Sequence, residues 1–203
     1  MGVWISKNCC YKKDREGILS ACPASFFDIT AQDIHGQPVH FRDFRGKYKA
    51  FVCVNLASSC TLTSANYRQL VKMHEDYGSK GLLLLGFPCN QFLGQESKCE
   101  DDIVTFVRDK FGVKFMMFSK IEVNGANPHP LYAYLRKNSE MFDPRLKEAK
   151  LIPWNFFKFI LDQKGRVVNV IQPHVLPDDF KHIVEDLLNT EFDTESSEET
   201  RML

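Results

Sequence analysis

The chain lacks the cysteine patterns of a disulfide-stabilised or zinc-binding protein. Its 203 residues include seven cysteines, an odd number, with no Cys-x-x-Cys pair and no paired-histidine metal spacing. A disulfide scaffold and a zinc site are therefore both disfavoured. Free thiols are typical of a reducing compartment, and the N-terminus has no long apolar core of a secretory signal. We expect neither a metal nor a prosthetic cofactor.

Two further absences narrow the class of protein. No apolar stretch is long enough to cross a membrane as a helix. The formal net charge is zero, so the overall charge does not indicate a nucleic-acid partner. With 44% apolar and 26% charged residues, the chain is typical of one globular domain with short tails. We predict a linker over 1–24, a folded domain over 25–190 and an acidic disordered tail over 191–203.

The first residues carry a lipidation pattern. Gly2 and Ser6 fit the N-myristoylation sequence, and Cys9 and Cys10 follow where palmitoylation would occur, among several basic residues. Stable anchoring needs two such signals, and basic side chains add attraction to anionic headgroups. We therefore expect a lipid anchor at the cytosolic membrane face. The alternative is a soluble protein whose first residues form an incidental tail.

A cysteine at the end of an apolar run carries the strongest chemical signal. Residues 51–56 are typical of a strand buried on both faces, and an amphipathic helix follows, so Cys60 lies on the turn between them. Thr61, Thr63 and Ser64 are candidate caps, and the positive end of the helix dipole points toward the sulfur. Because only the thiolate is nucleophilic, this electropositive, partly open turn favours a reactive cysteine. The alternative is a buried structural cysteine.

A second apolar run brings another loop to the same place. Gly81–Phe87 predicts a buried strand parallel to the first, and Pro88–Glu96 is a turn-rich loop beyond its carboxyl end. Loops at the carboxyl ends of neighbouring parallel strands meet at one edge of the sheet, where sites usually form. We therefore expect this loop to lie beside Cys60.

The rest of the chain predicts supporting structure. The predicted elements are a β-hairpin from Ser25 to Gly46, a packing helix over 100–111, a helix after His129, a charged loop over 141–153, a strand hairpin over 156–172 and a terminal helix from Pro177. His129 is a candidate base, but a histidine at a helix start is more typical of a cap or packing residue. Cys89 is similarly more typical of a packing residue than of a nucleophile.

Four segments together resemble the glutathione peroxidase family. They are NLASSC ending at Cys60, GFPCNQFLGQE ending at Glu96, MFSKIEVNG with the following HPLYAYL, and IPWNFFKFILD. The resemblance extends from about Phe26 to Leu188. It implies an α/β thioredoxin-like fold, with a central mixed sheet flanked by helices and an N-terminal β-hairpin. It also implies thiol-dependent reduction of hydroperoxides.

The family's catalytic tetrad carries over to Cys60, Gln95, Trp154 and Asn155. The resemblance implies that amide and indole N–H groups donate hydrogen bonds to the Cys60 thiolate. The thiolate attacks the peroxide and becomes a sulfenic acid, which a thiol reduces through a mixed disulfide. Without the resemblance, Trp154 would be assigned to the core and Asn155 to a turn.

Several positions depart from the family pattern. Thr61 and Ser97 replace the usual glycine and proline, which would reshape the entrance of the site. Cysteine rather than selenocysteine at position 60 implies slower turnover. Thioredoxin-dependent members carry a resolving cysteine in the helix predicted at 100–111, which has none here, so Cys99 is the nearby candidate. Glutathione is therefore favoured over a thioredoxin-like protein as reductant.

Alternative functions remain open from the sequence. One is a membrane-associated peroxide sensor or redox relay with little turnover, in which Cys99 traps oxidised Cys60. Another is a thioredoxin-fold adaptor without chemistry. The segment from His129 to Trp154 is too short for the assembly loop of the family's tetrameric members, so we expect a monomer. That short loop resembles the monomeric phospholipid-hydroperoxide type, which implies lipid hydroperoxides as substrates beside hydrogen peroxide.

Overall fold

A computed structural model of the chain describes residues 13–14 and 22–192. The predicted lipidation residues Gly2, Cys9 and Cys10 lie outside these residues, as does most of the predicted acidic tail. The described strands are β1 (Lys13–Asp14), β2 (Thr30–Gln32), β3 (Pro38–His40), β4 (Ala50–Leu56), β5 (Leu82–Pro88), β6 (Met116–Met117), β7 (Phe142–Asp143), β8 (Glu148–Lys150), β9 (Lys158–Asp162) and β10 (Val167–Ile171). The described helices are α1 (Thr63–Tyr77), α2 (Glu100–Phe111), α3 (Pro130–Lys137) and α4 (Pro177–Leu188). None of these helices has the length and apolar character needed to cross a membrane.

The central sheet is mixed, as the sequence predicts. Its strand order is β10-β9-β4-β5-β6, in which β4, β5 and β6 are parallel and β9 and β10 are antiparallel to their neighbours. The last residues of β4 and β5, Leu56 and Pro88, are register partners. The two loops that follow these strands therefore leave the sheet side by side, which confirms their predicted proximity.

Helices cover both faces of this sheet. Successive residues of β4 alternate between two apolar clusters. Both faces of the strand are therefore buried, which explains its nearly continuous apolar sequence. One cluster joins Phe51 and Cys53 to α3 through Leu131 and to the aromatic residues after Ser25. The other joins Val52 and Val54 of the same strand to side chains of the three remaining helices, and these side chains are Tyr67, Leu70, Ile103, Val107, Phe180 and Val184.

The predicted N-terminal hairpin is present, but it begins later than expected. Its strands β2 and β3 pair in antiparallel register, with Ala31 opposite Val39. The preceding Phe26–Asp28 forms a 3₁₀ turn rather than strand, because the Ser25 hydroxyl accepts a hydrogen bond from Phe27 N at 3.2 Å and caps the turn.

The charged segment predicted as a loop over 141–153 contains two strands. β7 and β8 pair with each other, and β8 also pairs with β1, which lies in the segment expected to be a linker. The hairpin turn is held by Asp143, whose carboxylate accepts hydrogen bonds from Arg145 N at 2.9 Å and Leu146 N at 3.2 Å. The strands are too short to produce a recognisable alternation, so the loop prediction is wrong here.

Candidate active site

Cys60 lies on a tight turn between β4 and α1. The Thr63 hydroxyl closes this turn, because it accepts a hydrogen bond from Cys60 N at 3.1 Å and donates one to Ala57 O at 2.7 Å. The helix itself is capped at Leu62 without a side-chain hydrogen bond, so the predicted capping roles of Thr61, Thr63 and Ser64 are wrong. The Cys60 residue is 8% exposed, which makes the turn more enclosed than the sequence indicates.

The loop after β5 packs onto this turn through its backbone. Ser59 N donates a hydrogen bond to Gln95 O at 3.0 Å, so Gln95 is attached to the residue beside Cys60. Leu93 and Gly94 both have left-handed backbones, with φ of 54° and 66°, which reverse the chain just before Gln95. Asn90 Oδ1 then accepts from Glu96 N at 2.9 Å and closes the loop.

Asn155 joins this loop to the segment before β9. Its side chain is fully buried, and its Nδ2 donates a hydrogen bond to Gln95 Oε1 at 2.8 Å. Since Oε1 is the acceptor, the Nε2 of Gln95 is the part of that amide available as a donor. One N–H of the Asn155 amide is therefore engaged by Gln95, and its implied hydrogen bond to the Cys60 sulfur stays a prediction.

Trp154 completes the group of predicted site residues. Its half-buried indole packs against the apolar cluster that contains Cys60, and its ring centroid lies 5.8 Å from that of Phe92. Phe92 belongs to the loop that carries Gln95. The structure therefore brings Gln95 and Asn155 into direct contact and places Trp154 against the same loop and the same cluster as Cys60.

Burial raises the pKa of three of the other described cysteines. Among the described residues five cysteines are free thiols, of which Cys53 and Cys89 are fully buried. Burial raises the pKa of Cys53, raises that of Cys89 to about 11, and raises that of Cys22. Because only a thiolate attacks a peroxide, burial disfavours these three as nucleophiles. Cys99 is exposed, immediately before α2.

Glu96 is a buried carboxyl group beside the candidate site. It is fully buried, with the hydroxyl and backbone of Ser58 beside its carboxyl group. Burial raises its pKa, because desolvation disfavours the charged form, and the neighbouring Ser58 groups offset only part of this rise. No role for Glu96 follows from the sequence alone.

Polar side chains outside the predicted tetrad join the loop after β5 to the loop before α3, and that loop to the segment before β9. Gln91 Oε1 accepts hydrogen bonds from Val123 N at 2.8 Å and Asn124 N at 2.9 Å. Asn124 in turn bonds Ile152 N and Ile152 O through its amide, each at 2.9 Å. The local sequence offers no periodic signal for such residues, since each is a polar residue in an irregular segment. His129 Nδ1 accepts from Leu131 N at 3.2 Å, the capping role favoured from the sequence.

The fold is that of a thioredoxin-like protein, with a cysteine on the turn between a central strand and a helix. A solved structure titled "Crystal structure of T. cruzi GPX1" has a TM-score of 0.63 and 27% identity, and the match covers 81% of this chain and 96% of that one. The sequence model of the family described as glutathione peroxidase matches residues 26–136 of this chain. Glutathione peroxidase 2 of Caenorhabditis elegans is 41% identical over 162 residues, which are 80% of this chain and 95% of that protein.

A plant relative is similar over the same region. The probable phospholipid hydroperoxide glutathione peroxidase of Mesembryanthemum crystallinum is 37% identical over 169 residues, which are 83% of this chain and 95% of that protein. The chain therefore belongs to the glutathione peroxidase family and is a thiol-dependent peroxidase. Both the thioredoxin-like fold and the peroxidase class predicted from the sequence are confirmed.

Proposed function

We propose that the chain reduces hydroperoxides with Cys60 as the peroxidatic thiol and with Gln95, Trp154 and Asn155 as its supporting groups. The observation that carries this proposal is the contact of Asn155 with Gln95, together with the backbone bond of Gln95 to Ser59. These contacts hold two of the supporting amides at the turn that bears Cys60. The same turn begins at the end of a parallel strand, where thiol chemistry has access to a helix N-terminus.

The reaction proceeds in two stages. The Cys60 thiolate attacks one oxygen of the O–O bond, the bond breaks, and the leaving oxygen takes a proton to become water or an alcohol. The resulting sulfenic acid condenses with a first thiol, which releases water and forms a mixed disulfide. A second thiol then attacks the sulfur of the first, so a small-molecule disulfide leaves and the Cys60 thiolate returns.

Glutathione is the proposed reductant, and a thioredoxin-like protein is the second candidate. The support is that α2 contains no cysteine to resolve the sulfenic acid internally. Cys99 immediately precedes that helix and is exposed. A one-cysteine cycle needs only small thiols that reach Cys60.

The proposed location is the cytosolic membrane face, and the proposed state is a monomer. Myristoylation at Gly2 and palmitoylation at Cys9 or Cys10 would supply the two signals that firm anchoring requires. Lipid hydroperoxides of the adjacent leaflet would then be substrates beside hydrogen peroxide. The printed name of the Mesembryanthemum relative, a phospholipid hydroperoxide peroxidase, supports this substrate class.

Steady-state kinetics test the chemical part of the proposal. Purified protein should consume many equivalents of peroxide, with glutathione more effective than thioredoxin in a side-by-side assay. Cys60→Ser should abolish turnover, whereas Cys89→Ser, a matched change at a buried thiol, should leave most of it. Consumption that stops after one equivalent would favour the sensor or relay, and equal loss from both variants would refute the assignment of Cys60.

Cell fractionation tests the location. The parent protein should be found with membranes, and Gly2→Ala should release it. Cys9→Ser/Cys10→Ser should weaken the association, since a myristoyl chain alone binds only marginally. A soluble parent, or a Gly2→Ala variant that stays with membranes, would refute the anchor. Light scattering of the detergent-free Gly2→Ala variant should give the mass of a monomer, and a tetramer would contradict the proposed state.

A further inference from the structure

Asn55 is a buried polar residue within an otherwise apolar strand. It lies next to the end of β4 and is fully buried. A buried amide must find hydrogen-bond partners, because leaving its donors and acceptors unpaired is unfavourable. Its partners all belong to one segment, the turn that carries Trp154 and Asn155.

The side chain of Asn55 spans this turn. Its Nδ2 donates a hydrogen bond to Trp154 O at 3.1 Å, and its Oδ1 accepts one from Phe157 N at 3.0 Å. The backbone of Asn55 adds another bond, because its carbonyl accepts from Phe156 N at 2.7 Å. One residue of β4 therefore binds the segment on both sides of Asn155.

The bound turn has an unfavourable backbone conformation. Phe156 follows Asn155 directly and has φ of 64°, a left-handed conformation that side chains with a Cβ rarely adopt. Such strain persists only where surrounding contacts hold it, and it is concentrated at functional sites. Here the contacts are the Asn55 hydrogen bonds and the packing of the buried Phe156 ring edge-on to Tyr67, with centroids 5.9 Å apart.

We propose that Asn55 is a positioning residue for the peroxidase reaction. It holds the strained turn so that the Asn155 amide reaches Gln95 and the Trp154 indole stays against the cluster that contains Cys60. Were Phe156 to relax to an extended conformation, the direction of the chain through Asn155 would change and the 2.8 Å bond to Gln95 would break. This inference rests on the proposed role of the Cys60 site.

The test compares Asn55→Ala with Tyr134→Phe in the full-length protein. Tyr134→Phe also removes one hydrogen bond, the one its hydroxyl donates to Gly165 O at 3.0 Å, but it lies on α3 and its partner lies between β9 and β10. We expect Asn55→Ala to lower the rate constant of the thiol with hydrogen peroxide at least tenfold. Tyr134→Phe should leave that rate constant unchanged, whatever each variant does to the denaturation midpoint.

A spectroscopic readout separates positioning from a general loss of stability. The chain has two tryptophans, so in a Trp4→Phe background the fluorescence emission reports Trp154 alone. Asn55→Ala should shift this emission in the folded protein, and Tyr134→Phe should not. If Asn55→Ala does not fold, Asn55→Ser, which keeps a short polar group, replaces it in both measurements. A folded Asn55 variant with parental rate and parental emission would overturn the proposal.

Combining Asn55→Ala with Gln95→Ala tests whether Asn55 acts through the amide pair. Residues that act through one shared contact have non-additive effects. The double variant should therefore lose little more rate than the more damaging single variant, and losses that multiply would overturn the inferred route. An inactive parent protein would refute the proposed function, whereas the emission shift would still report whether Asn55 holds Trp154 in place.

Discussion

Asn155 Nδ2 donates a 2.8 Å hydrogen bond to Gln95 Oε1, which joins two loops whose residues are 60 positions apart in the chain. The bond decides which way the Gln95 amide faces. With its oxygen engaged by Asn155, Gln95 keeps Nε2 as the donor that the proposed mechanism requires. Asn155 thus holds the Gln95 side chain, and the hydrogen bond to Cys60 that the family resemblance implied for it stays a prediction.

Gln95→Glu separates the shape of Gln95 from its hydrogen-bond donor. A glutamate still offers an oxygen to Asn155, but its second oxygen replaces the Nε2 donor. A hydrogen bond to a charged group contributes about 1.5–3 kcal/mol, so we expect a loss of roughly 10-fold to 100-fold in the rate with peroxide. Stopped-flow oxidation measures it, with Gln37→Glu in an exposed turn as the control. A Gln95→Glu enzyme with parental rate would show that Nε2 does not support the thiolate.

Cys99 should be dispensable when glutathione is the reductant. It is exposed immediately before α2, but a small thiol that reaches Cys60 makes a second protein cysteine unnecessary. We expect Cys99→Ser to retain parental turnover with glutathione. Non-reducing peptide mapping of protein treated with peroxide and then with limiting glutathione should find glutathione on Cys60. A stoichiometric Cys60–Cys99 disulfide, with turnover lost in Cys99→Ser, would instead identify a two-cysteine cycle.

The elements that have a recognisable pattern in a short stretch of sequence could be predicted. β4 and β5 are continuous apolar runs followed by turn residues, and parallel strands leave their carboxyl ends at one edge, so the meeting of Cys60 and the Gln95 loop followed directly. Assigning Trp154 and Asn155 depended on family resemblance, because each residue type is ordinary in a core or a turn.

The remaining features arise from long-range contacts. The Asn55 side chain hydrogen-bonds the carbonyl of Trp154, which is 99 residues away. No periodicity in either segment predicts this contact. The strands β7 and β8 depend on each other and on β1, and their few residues are too short for an alternating pattern. The turn around Cys60 is likewise held by the loop after β5, through the bond of Ser59 N to Gln95 O, a contact between residues 36 positions apart.

Lys158 should make the free energy of unfolding increase with pH above neutrality. It is fully buried on β9, and its Nζ donates hydrogen bonds to Val175 O at 2.7 Å and Pro173 O at 3.3 Å. Burial lowers its pKa to about 7, below the value of about 10.4 for a lysine in an unfolded chain. Between these values the unfolded chain binds more protons, so the stability contribution of Lys158 rises with pH.

Urea denaturation of Lys158→Met at pH 6, 8 and 9.5 measures this dependence. The parent protein should gain free energy of unfolding relative to Lys158→Met as the pH rises above 7. Ile160→Val, a neutral change on the same strand, should give a difference that is constant over this range. A constant difference for Lys158→Met as well would mean that Lys158 does not titrate between the two pKa values.

Glu96 should produce the opposite dependence. Burial raises its pKa in the folded protein above that of an unfolded glutamate, so the folded state binds the proton more tightly. The stability contribution of this group is fully present below the unfolded pKa of about 4.3 and is lost as pH rises through the folded pKa. Replacing Glu96 by the neutral isostere glutamine removes the ionisation and keeps the shape.

We therefore expect Glu96→Gln to exceed the parent protein in free energy of unfolding at pH 8, with an advantage that shrinks as the pH falls toward 4. Ser97→Ala, a neutral change at the exposed neighbouring position, should give a difference that does not vary with pH. The hydroxyl and backbone of Ser58 act on the parent carboxyl, and a glutamine side chain keeps an oxygen that can accept from them. A Glu96→Gln variant that is less stable than the parent at pH 8 would contradict this prediction. It would mean that the surroundings stabilise the carboxylate more than burial destabilises it.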